Sequence, residues 1–83
     1  MKIYDYNGRC NLCGTRIRQR REALGLSQED LAARLQVAGR DISQHAISRI
    51  ETGLRVLPDY ELLFFADALD TSVLWLLEKE PQK

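Results

Sequence analysis

One histidine, two cysteines and no net charge in 83 residues remove several classes of function at the outset. With a single imidazole, no paired carboxylates in a cleft pattern, no glycine-rich phosphate loop and no triad arrangement, little is left from which to build an active site, and no enzyme is expected. Cys10 and Cys13 form a Cys-x-x-Cys knuckle, which supplies half of a tetrahedral zinc site. His45 is the only histidine and no third cysteine exists, so four ligands would require a second subunit. A redox pair would follow a strand in a thioredoxin-like pattern, which the chain lacks. The simpler reading is two reduced thiols just before a helix, one of them packed as a small hydrophobe, with no metal and no cofactor.

Long apolar runs are missing too. None approaches the ~20 residues needed to cross a bilayer, and the densest, Leu62 to Leu77, is interrupted by Asp67 and Asp70. Met1 to Tyr6 carries one lysine and no apolar segment of the kind a secretory signal needs. The expectation is therefore a cytoplasmic domain with no membrane partner.

What is present is one small domain's worth of chain. The hydrophobic fraction, 45%, suffices for a core, and the balance of 12 basic against 12 acidic residues argues against both a disordered tail and a polycation. The balance conceals an asymmetry. Residues 1–55 hold 10 basic and 6 acidic side chains, whereas residues 56–83 hold 2 and 6. Arg16, Arg18, Arg20 and Arg21 crowd one stretch. Such a dipolar chain can turn one face to a polyanion, although an ordinary solvated helix face would read the same way.

Helical spacing runs through most of the sequence. Residues 1–10 read as an arm too short to hold a sheet. A first helix is capped by Asn11, places Cys13, Ile17, Arg21 and Leu24 on one side, and stops at Gly25. Ser27 caps a second, with Leu31, Leu35 and Ala38 inward and Gly39 closing it. Ser43 caps a third, in which Ile47 and Ile50 face the core and Gly53 ends the helix. Asp59, after Pro58, caps a fourth with Leu62, Phe65, Ala66 and Leu69 as its stripe; residues 73–77 make a short fifth. With no convincing strand pair, the fold class is all-α.

The third helix carries the chemistry. Its outward residues Gln44, His45, Ser48 and Arg49 include no acid, and all four can donate hydrogen bonds to base edges or phosphates. Gln44 suits adenine bidentately, and Arg49 suits guanine or a phosphate.

Ser27-Gln-Glu-Asp-Leu-Ala-Ala-Arg-Leu followed by Ile42-Ser-Gln-His-Ala-Ile-Ser-Arg-Ile-Glu-Thr-Gly resembles the helix-turn-helix of Cro/cI-type (Xre-like) transcriptional regulators. The flanking segments match that family's first and last helices, so the resemblance spans residues 12–78. It implies a five-helix Cro/cI repressor-like DNA-binding domain over residues 11–78, between an arm (1–10) and a tail (79–83). The implied function is sequence-specific double-stranded DNA binding by a small dimeric regulator, a repressor, with the third helix in the major groove. Base contacts then fall to Gln44, His45, Ser48 and Arg49. Phosphate contacts fall to Gln28 and Ser43 at helix starts, Arg55 after the third helix, and Arg40, Arg16 and Arg20. The resemblance also pairs Arg21 with Glu51 as a structural ion pair.

Three departures from that pattern stand out. Gln36 to Asp41 lengthens the turn between the second and third helices, which the helical period of Ala38 suggests adds a helical turn and a wider loop. Asp70 replaces a turn glycine, a site where Asp still tolerates the left-handed conformation. Leu74 stands where a polar residue is common. Tyr60, Phe64, Leu74 and Trp75 exceed what the core stripe needs, and the resemblance implies that this region forms a homodimer. The same surface suits a different class of function: an antitoxin or accessory module holding a protein partner such as a toxin or another regulator.

Overall fold

Helix ends decide this architecture, because each helix stops where a residue turns left-handed and its carbonyls find donors. The computed structural model describes residues 5–79, and five helices occur among them: α1 (Gly14–Ala23), α2 (Gln28–Val37), α3 (Gln44–Glu51), α4 (Asp59–Ala68) and α5 (Val73–Leu76). Of the arm expected at 1–10 and the tail expected at 79–83, residues 1–4 and 80–83 lie outside the described residues. After α2, Gly39 sits at φ 101° and the amides of Gly39 and Arg40 return to Gln36 and Leu35, a Schellman closure. The remaining helices close alike, but after α4 the left-handed residue is Asp70 (φ 52°), and after α5 it is Glu78 (φ 62°).

The starts are equally local. Ser27 and Asp30 form a reciprocal capping box, Asp30 N–H donating to Ser27 Oγ (3.0 Å) and Ser27 N–H to Asp30 Oδ2 (2.9 Å). Hydrogen bonds from the Ser27 amide, and then from its side chain, to the Asp30 carboxyl hold that group below its ordinary value. Ser43 and Ser72 cap α3 and α5. Two starts differ from expectation. Cys13 is the residue flanking α1, although Asn11 Oδ1 still accepts from the Gly14 amide at 2.7 Å. Pro58 flanks α4 with no side-chain cap, leaving Asp59 as its first helical residue, where its charge still meets the helix dipole.

The core is one cluster. Ile17, Leu31, Leu35, Ile47, Ile50, Phe65, Leu69 and Leu76 are fully buried. α2 packs on α3 and α4, while α1 packs on α3 and α5. Cys13 belongs to this core, and burial together with the nearby Glu78 charge pushes its thiol up to about 11. Ala38 does not belong to it: α2 ends at Val37, so the position that would continue the stripe is an exposed cap. The extra residues between α2 and α3 therefore form mainly loop. Ile42 fills the core from that loop, while Val37 is 90% exposed.

Residues 5–10 are docked rather than free. Asn7 and Gly8, both at positive φ, make a two-residue turn closed by paired Tyr6–Arg9 backbone hydrogen bonds of 2.7 and 3.0 Å. The Cys10 amide then donates to Gly53 O (2.8 Å), and Arg9 Nη2 donates to Glu51 O (3.0 Å). Among the described residues no helix is long and apolar enough to cross a membrane.

Candidate nucleic-acid interface

α3 has eight residues, a rod ~12 Å long whose diameter with side chains, about 10–12 Å, suits the width of a major groove. Its inner face is Ile47, Ile50 and Glu51, all buried; Gln44, His45 and Arg49 are exposed and Ser48 is half-buried. The helix is held at both ends. At its start Ser43 Oγ accepts from the Ala46 amide (3.1 Å). At its end Asn11 Nδ2 donates to Ile50 O (3.0 Å) and Arg55 O (2.8 Å), which places donors on the carbonyl end of the dipole. α1 approaches so closely there that a Cβ on Gly14 would lie 2.1 Å from Ile50 O.

Beneath α3 runs a hydrogen-bonded chain. Arg21 grips Glu51 with both edges of its fork, Nε to Oε2 at 2.7 Å and Nη2 to Oε1 at 3.0 Å. The hydrogen bond to Glu51 raises the Arg21 guanidinium further above its ordinary value. Glu51 Oε1 also accepts from Gln28 Nε2 (3.0 Å), and Gln28 Oε1 accepts from Gln44 Nε2 (2.6 Å). A carboxylate only accepts, so the Gln28 amide must turn its nitrogen to Glu51 and its oxygen to Gln44. Gln44 keeps its own oxygen and one N–H, the pair that adenine's major-groove edge requires.

The arginines part company with the sequence expectation. Arg16 Nη1 donates to Trp75 O (2.9 Å) and its guanidinium lies 4.5 Å over the Trp75 ring. Arg20 donates to Leu69 O (2.8 Å) and Asp70 O (3.1 Å). Both are drawn to the carbonyl ends of α5 and α4, where a cation is favoured, so part of each guanidinium is engaged within the fold. Arg34, on α2, reaches Ala68 O at the same end of α4 (3.1 Å). Arg40 and Arg55 converge on Glu61, a residue that sequence reasoning missed. An acid in the first turn of a helix was its only signal. Arg9, Asn11 and Gly14 were missed in the same way as supports of α3; the Asn7-Gly8 pair was the one local signal that the preceding segment turns.

The expected apolar surface divides. Tyr60 and Leu74 are 53% and 54% exposed, whereas Phe64 and Trp75 are half-buried against the core. Leu63, not foreseen, is 58% exposed. Tyr60 and Leu63 line an apolar groove of about 550 Å³ with Leu12, Leu57, Val73 and Leu77.

Two packed helices, the second buried on one side and free of acids on the other, form a helix-turn-helix, an arrangement suited to DNA binding. The helix-turn-helix domain family matches residues 13–74, most of the chain, and the chain belongs to that family. No curated protein and no solved structure gives a significant match.

Proposed function

We propose that the chain is a dimeric regulator of the Cro/cI (Xre-like) type that binds operator DNA sequence-specifically and represses transcription. The observation that carries this reading is the Glu51–Gln28–Gln44 chain, because it fixes the amide of an exposed recognition residue from a buried carboxylate. Gln44, His45, Ser48 and Arg49 are the base-contacting set. Gln28, Ser43, Arg40 and Arg55 contact phosphates. Two copies meeting through Tyr60, Leu63 and Leu74 would set two α3 helices one DNA turn apart.

Selection of fragments from a random-sequence duplex library, followed by footprinting, tests it. The expected result is a pseudo-palindrome with half-sites about one helical turn apart and affinity that falls steeply with salt. Absence of retained duplex at low salt would refute it. The apolar groove beside exposed Tyr60 and Leu63 also supports the second reading, an antitoxin or accessory module, for which a heterologous chain would co-purify in fixed stoichiometry.

A further inference from the structure

Glu61, in the first turn of α4, is a buried charged side chain, with 2% of it exposed, and two guanidiniums meet it. Arg40 offers Nε and Nη2 to Oε2 (3.2 and 2.6 Å), and Arg55 offers Nη1 to Oε1 (3.0 Å). Arg40 lies three residues before the cap of α3 and Arg55 three residues after its last turn closes. Over a third of each arginine side chain remains exposed. The Arg40 guanidinium is further seated 5.3 Å over the Tyr60 ring.

We infer that Glu61 is a positioning residue for DNA binding, which holds Arg40 and Arg55 together as one clamp on the phosphate backbone beside α3. The inference rests on the DNA-binding reading. One arginine would neutralise a buried carboxylate, so the second leaves a surplus positive charge. Hydrogen bonding to Glu61 uses Nε and Nη2 of Arg40 but leaves its Nη1, and uses Nη1 of Arg55 but leaves Nε and Nη2. Those remaining edges suit phosphate oxygens, and a fork fixed in advance loses less side-chain freedom on binding than one fixed by the DNA. Because both forks share one carboxylate, they lie close enough to serve a single strand. α3 in the groove is flanked by the two backbones, and residues bracketing its ends are placed to reach one of them.

Simple electrostatics predicts the opposite of this inference for one variant. Removing an acid near DNA adds net positive charge and should tighten binding. As a positioning residue, Glu61 should instead weaken binding when replaced. The test uses the full chain and a duplex that it selects from a random-sequence library, titrated over a series of salt concentrations. Glu61→Gln is expected to bind about tenfold more weakly and to flatten the dependence of log affinity on log salt by about one unit per protomer.

Arg40→Gln and Arg55→Gln each leave Glu61 one partner and should give the same shallower slope. A scan with methylphosphonate linkages should find a phosphate in each half-site whose neutralisation weakens the unmodified protein and not these variants. Unchanged or tighter binding by Glu61→Gln with an unchanged slope would overturn the inference, as would full phosphate sensitivity in both arginine variants. Should Glu61→Gln melt below the assay temperature, the arginine variants decide alone. A natural chain that selects no duplex overturns the DNA-binding reading itself, and the clamp with it.

Discussion

Glu51 is buried with three donors on its carboxylate, two from Arg21 and one from Gln28. A buried charge so satisfied is tolerable, but one that loses its partner is not. Arg21→Met should destabilise the fold by about 3 kcal/mol, which a domain of this size would register as a fall in melting temperature of roughly 15 °C. Thermal melting followed by circular dichroism checks this, and a shift of only a degree or two would show that water or Gln28 compensates. The cysteines differ as sharply. With its thiol pushed up to about 11 and its side chain in the core, Cys13 is a protonated hydrophobe at neutral pH. Half-buried Cys10 should therefore be alkylated well before Cys13 in the folded protein; peptide mapping after brief iodoacetamide treatment reads the order, and equal labelling would contradict the packing. Arg21 and Glu51 were legible from the pattern of the helix-turn-helix, whereas Glu61 was not, because nothing local distinguishes it from a solvated acid in a first turn.

At the scale of elements, two backbone positions make opposite predictions. Gly14 lets α1 touch the end of α3, and the Cβ of an alanine there would meet the backbone oxygen of Ile50, which has no flexible end to move. Gly14→Ala should cost about 2 kcal/mol or more through overpacking. Asp70, at φ 52°, ends α4 in a conformation that glycine adopts without strain. Asp70→Gly should accordingly stabilise by about 0.5–1 kcal/mol, since the Asp70 carbonyl that Arg20 uses is retained. Urea titrations of both variants give the signs directly. The helices themselves were readable because capping serines, left-handed glycines and apolar stripes act within a few residues. Ala38 misled for a physical reason: it keeps the helical period of Leu31 and Leu35, yet Gly39 ends the helix before that period can be used.

For the whole molecule, acid is the informative variable. Burial pushes the Glu61 carboxyl up, but the hydrogen bonds and charges of Arg40 and Arg55 outweigh it and leave it below its ordinary value of 4.5. A group whose folded value is depressed contributes stability that is present above the unfolded value and lost as pH falls through the folded one. The stability gap between the natural chain and Glu61→Gln should thus be constant above about pH 4.5 and close progressively below it. Denaturant midpoints measured from neutral pH down to strong acid follow the gap, and a gap independent of pH would mean that the ion pairs contribute nothing through the charge of Glu61.

Sequence alone determined the five helices, the residues of their inward stripes apart from Ala38, and the acid-free face of α3, since period, caps and breakers are properties of neighbours along the chain. The tertiary structure decided the partner of each arginine. Arg16 and Arg20 look like the rest of a basic run, yet they sit across from helix ends 49 to 59 residues away in sequence, and Arg40 and Arg55 look separate until α4 brings Glu61 between them. A guanidinium takes the nearest carbonyl or carboxylate, and distance in space between residues remote in sequence exists only once the core has closed.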